Sequence, residues 1–166
     1  MRHELKVFGF TIDSLARMPV ILLRDQDEKQ TLPVWVSNDD ALGLLVAIVG
    51  RDEGEQGGDD LFSRLLPLLG VTPSHVEIDD VHEGILTTTV VFRRDGEELR
   101  LSVRPSEAIL FALRYRLRLS VEDEVFVRAA RARTINDETV SFDADARRFV
   151  ELLERLKPEE MGKFPM

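Results

Sequence analysis

Strand-forming residues in this chain fall into two blocks with no helix inside either, and that grouping limits the fold more than any other feature. The first block covers residues 5–36. Leu5 to Ile12 is β-rich, Pro19-Val20-Ile21-Leu22-Leu23 follows a break at Asp13-Ser14, and Leu32-Pro33-Val34-Trp35-Val36 follows the polar turn Arg24 to Lys29. The second covers residues 75–103, in which Ile85 to Arg93 and the alternating Leu99, Leu101 and Val103 flank an Asp95-Gly96 hairpin signal. Strands in runs, rather than strands alternating with helices, argue for an α+β class with largely antiparallel pairing. Pro33 cannot donate to a ladder, which places its strand at a sheet edge or at a bulge.

Three to four helices account for the remainder. Ser37 is a cap, with Asp39 and Asp40 in the first turn, and Ala41 to Val49 is apolar apart from Gly43 until Gly50 ends the run. A helix apolar all round is central to the fold or buried between subunits, so residues 41–49 point to a homo-oligomer. A glycine-rich acidic stretch at 51–58 leads to Asp59 and Asp60 at the start of a second helix, which Pro67 shortens and Gly70 terminates. Pro105-Ser106-Glu107 opens a third helix, Leu119 to Val121 is a short strand, and Asp123 to Ala130 is a brief helix. At 166 residues this is one domain, spanning 1–130, with a strand and helix extension at 131–166 that packs on it and ends in a helix over 144–156.

Charge and composition narrow the partners. There are 22 basic and 31 acidic side chains, a net charge of −9, so the molecule as a whole repels nucleic acid and anionic membranes. The imbalance lies in residues 1–83, whereas 93–133 carry 10 arginines against 7 acids. There is no apolar run long enough to cross a membrane. Cysteine is absent, which removes disulfides and thiolate chemistry and fits a reducing cytoplasm.

Three groups of residues could carry chemistry. Asp39, Asp40, Asp52, Glu53, Glu55, Asp59 and Asp60 form an acidic cluster whose hard oxygens suit Mg²⁺ or Mn²⁺, though capping and solubility account for the same acids. Arg104-Pro105-Ser106-Glu107 puts an arginine at a strand end beside a helix start, where it would clamp a phosphate or hold the helix through an acid. Arg114, Arg116 and Arg118, with Arg93, Arg94 and Arg100 nearby, form a row able to meet phosphates or simply a solvated face. His3, His75 and His82 show no metal-ligand spacing and read as surface residues.

The order of these pieces resembles the bifunctional nuclease domain family. Pro19 to Leu23, Leu32-Pro33-Val34-Trp35-Val36, Asp40-Ala41, Asp60-Leu61 and Arg104-Pro105-Ser106-Glu107-Ala108-Ile109 follow one another as that family's motifs do, over about residues 5–130. The segment from Phe149 to Phe164 is similar to a tail found after that domain. The resemblance implies an α+β domain with DNase and RNase activity, often in a homo-oligomer, and carries over to Asp40, Asp60, Arg104, Pro105, Ser106 and Glu107. Asp40 stands where the family has Glu, Glu107 where it has Asp, Asp59 where it has His, and Ser102 where an Asp often stands.

Two functions follow. In the first, a metal-assisted nuclease uses Asp40, Asp60, Arg104 and Glu107 as catalytic groups, with Asp59 and Asp60 on the metal and Arg104, Arg114, Arg116 and Arg118 on nucleic acid. In the second, the chain is a non-enzymatic regulatory or scaffolding module that assembles through residues 41–49. In both, the period of the strand before Pro105 predicts a buried Arg104 paired with Asp40 or Asp60.

Overall fold

The computed structural model describes residues 1–13, 16–27, 30–52, 61–82, 85–132 and 140–141. In chain order the elements are β1 (Arg2–Asp13), β2 (Met18–Asp25), β3 (Thr31–Trp35), α1 (Asn38–Asp52), α2 (Leu61–Leu68), β4 (Thr72–His82), β5 (Ile85–Arg94), β6 (Glu97–Val103), α3 (Pro105–Tyr115), β7 (Arg118–Glu122), α4 (Asp123–Ala132) and β8 (Val140–Ser141). All eight strands join one sheet in the order β3-β2-β1-β7-β4-β5-β6, with β8 on β1, and four helices are described. The class is α+β.

Local grammar explains the antiparallel parts. Asp95 and Gly96 both have positive φ, 52° and 84°, the hairpin geometry that matches strand twist, and β5 and β6 pair across it from Arg94↔Glu97 to Thr88↔Val103. β3 is an edge strand bonded only to β2, so Pro33, opposite Leu22, costs no ladder bond on its outer side. The parallel contact joins β4 to β7 from His75↔Arg118 to Ile78↔Val121, and the chain reaches it through β5, β6 and α3.

The core lies between the sheet and α1, α3 and α4. Leu5, Val76, Ile78, Leu119 and Val121 present one sheet face to Ala108, Ile109, Ala112 and Leu113 of α3 and to Val125 and Phe126 of α4. Among the described side chains of α1, Ala41, Leu44 and Leu45 are buried, whereas Leu42 is 53% and Val46 65% exposed. This helix is half covered by its own fold.

Three expectations need correction. Gly50 does not end α1, which continues to Asp52. β6 is an edge strand, so alternation buries less than expected: Leu99 and Val103 are half-buried and Leu101 is 51% exposed. Arg104 has the extended backbone expected before proline, φ −65° and ψ 148°, yet its side chain is 66% exposed, lying over the starts of α1 and α3 beside Asp40 and Glu107. The helix expected at 144–156 lies outside the described residues. Among the described residues no helix is long and apolar enough to cross a membrane.

Candidate active site

The first turns of α1 and α3 meet. Ser37 accepts the Asp40 backbone N–H at 3.1 Å and so starts α1, as its residue type predicts. Pro105 occupies the first turn of α3, and the Arg104 N–H donates to Glu107 Oε2 at 3.3 Å, a local cap that fixes the strand-to-helix corner. Buried Ser106 then donates its hydroxyl to Asp40 Oδ2 at 2.9 Å, tying two helix starts that lie 66 residues apart. Both helices direct their positive ends at this junction, which favours anions there.

Arg104 stands over the junction. Its Nη2 donates to Glu107 Oε1 at 3.1 Å and its Nη1 lies 4.0 Å from Asp40 Oδ2. The guanidinium holds the Glu107 carboxyl below the usual carboxylate range, and Glu107 raises Arg104 in return. The expected buried ion pair is therefore an exposed one, and its main acid is Glu107 rather than Asp40.

Of the expected site residues, Asp40, Arg104 and Glu107 come together. Asp59 and Asp60 lie outside the described residues. Among the described residues no cluster of three metal-ligating side chains occurs. Asp40 and Glu107 do not by themselves fit Mg²⁺ or Mn²⁺, because the Arg104 cation already faces both carboxylates. The arginine row divides: Arg114 lies on α3, Arg116 is the left-handed C-cap at φ 52°, and Arg118 begins β7. Arg116 and Arg118 do line one cleft of about 390 Å³ with Lys6 and Glu4, over an apolar floor that includes Leu5 and Leu113.

A second polar cluster has no counterpart among the expected residues. Glu77 is buried in β4 and accepts bonds from Arg2, from Arg100 and from His75 Nε2, the last at 3.0 Å, while His75 Nδ1 faces Ser74 Oγ at 3.0 Å. Burial pushes Glu77 up, but the bonds from Arg100, His75 and Arg2 outweigh it and hold the group down to about 2. Nothing in the residues adjacent to Glu77 marks it as the centre of a cluster. Its partners lie 75 and 23 residues away, on β1 and β6. His75 is a bonded member of this cluster, and His3 stacks near Phe126 and meets Asp123 at 2.7 Å, so neither is a free surface residue.

The class is an α+β domain in which two helix starts converge beside an exposed guanidinium and two carboxylates. Its family can be stated. A model of the bifunctional nuclease domain matches residues 21–133, and the chain belongs to that family. Two uncharacterized proteins of Mycobacterium tuberculosis, MT1877 of strain CDC 1551 / Oshkosh and Rv1829 of strain ATCC 25618 / H37Rv, are each 27% identical to it over 163 residues, covering 95% of this chain and 96% of theirs.

Proposed function

We propose that the chain hydrolyses phosphodiester bonds in single-stranded nucleic acid at the junction of α1 and α3. The observation that carries this reading is the Arg104 guanidinium, exposed and held beside Asp40 and Glu107 at two helix starts. Arg104 would take the scissile phosphate, adding charge to the two helix dipoles that already favour it. Asp40, fixed by the Ser106 hydroxyl, would accept the proton of a water that attacks phosphorus. The phosphorus–oxygen bond to the leaving sugar then breaks. A part for Mg²⁺ or Mn²⁺ would require oxygens from Asp59 or Asp60, and the chelator arm of the test asks for it.

The test compares cleavage by the wild type, Asp40→Asn and Arg104→Met, each with and without chelator. Both variants are expected to lose at least tenfold in kcat/KM, and Arg104→Met should unfold at an unchanged denaturant midpoint, because the Arg104 pairs are solvent-screened. Equal cleavage by all three proteins would defeat the reading.

A second reading, assembly through α1, is favoured by a separate observation. Leu42 and Val46 sit one turn apart on a helix whose other face is already buried. We expect light scattering to give a mass above the 18.9 kDa of one chain, and Leu42→Asp with Val46→Asp to return it to that value. A wild type at 18.9 kDa at micromolar concentration would reject assembly.

A further inference from the structure

A second cleft, about 360 Å³ in volume, shares Glu4 and Arg118 with the first and has Arg2, Arg93 and Arg118 in its wall against one carboxylate, Glu4. We infer that it binds a small phosphate-bearing anion, a phosphomonoester, at a place separate from the Arg104 junction. Register puts the two apart. Arg104 follows Val103, which pairs with Thr88, and Arg93 lies five residues further along β5, about 17 Å at about 3.4 Å per residue.

The cleft is made by a bulge. β4 shifts register between Pro73 and His75, so Thr72 and His75 share a face despite their odd spacing. Thr72 pairs with Arg93 on one side of β4, and His75 pairs with Arg118 on the other. The inserted residue thus brings two arginines from β5 and β7 onto one face, two strand spacings apart and two residues out of line, about 12 Å between backbones. Without the bulge they would point to opposite faces. Two guanidinium groups on side chains of this length can close on one ligand across such a gap.

The charges in the wall are unequally spent. Arg2 is committed to Glu77 and Glu122, and both ring nitrogens of His75 are engaged by Ser74 and Glu77. The side chains of Arg93 and Arg118 make no hydrogen bond or ion pair among the described residues, although Glu98 stands opposite Arg93 in the ladder. Ser74 and Ser120 complete the lining, their hydroxyls turned to His75 Nδ1 and to the Val76 carbonyl. In a chain of net charge −9, long-range attraction cannot gather anions here, so a ligand must be held by local guanidinium contacts. A phosphate dianion suits two planar donors better than a monovalent carboxylate does.

The test is calorimetric titration of the full chain with inorganic phosphate and, separately, with adenosine 5′-monophosphate. Saturable binding is expected at millimolar concentration or below, weakened at least tenfold in Arg93→Gln/Arg118→Gln. Arg94→Gln removes a single charge from a neighbouring exposed position on the opposite face, and should change the affinity less than twofold. Tighter binding of the nucleotide would place its sugar or base in the cleft, and equal binding would place the phosphate alone there. Each supports the site. No saturation by either probe, an unaffected double variant, or equal weakening by Arg94→Gln would overturn it. Cleavage is not read, so the result is independent of any nuclease activity.

Discussion

Glu77→Gln is expected to lower stability at pH 7 by about 2–3 kcal/mol, the scale of losing charge-assisted hydrogen bonds to a buried acceptor. The substitution keeps the shape of the side chain and removes the charge that Arg2, Arg100 and His75 share. Both arginines are half exposed and can rehydrate, which keeps the cost below that of stranding a fully buried cation. The effect should depend on pH in a defined direction. The folded-state value of Glu77 is depressed, from 4.5 to about 2, so its contribution is fully present above about pH 4.5 and fades as pH falls toward about 2. The urea midpoints of wild type and variant should therefore lie far apart at pH 7 and approach each other by pH 3. A gap of constant width over that interval would show that the charge on Glu77 does not hold the cluster.

Phe126→Ala should cost more, about 3–5 kcal/mol. Phe126 is 1% exposed, the largest fully buried side chain among the described residues, and its ring stands 5.8 Å from that of His3. It fastens α4 to the sheet, where α4 touches β3, β4 and β7 at once. Truncation would open a cavity under all three strands. Thermal unfolding should show one cooperative transition displaced downward by many degrees. A shift worth under about 1 kcal/mol would mean that α4 sits on the sheet without supporting it.

Much of the architecture was legible because its causes are local. Asp95-Gly96, the Ser37 cap, Pro105 at a helix start and Pro33 at an edge each act within a few residues, and each is found where its chemistry requires. The sheet order was not legible. The pairing of β4 with β7 joins residues 43 apart, His75 with Arg118, and nothing near either position signals the other. The Glu77 cluster was hidden for the same reason, since an acid on an alternating strand looks solvated until Arg2 and Arg100 arrive from distant strands. At the candidate active site, the proximity of Arg104 and Glu107 could be read from helix grammar, and the strand end left Asp40 and Asp60 as equal candidates for the acid nearby. Exposure could not be read: the period of β6 says which way a side chain points, not whether another strand lies beyond it.

The place of β1 bears on how the molecule is built in time. From Leu5 to Asp13 it pairs with β2, which follows within a few residues, but its first four residues pair with β7 and its middle with β8. The Met1 carbonyl accepts the Asp123 N–H at 3.0 Å, and Arg2 meets Glu122. As the chain leaves the ribosome, the β1–β3 meander can form early, while one edge of β1 waits for more than a hundred further residues. Closing so long a loop slows the final assembly of the sheet. Until then the open edge of β1 is an unpaired strand, exposed to pairing with other nascent chains.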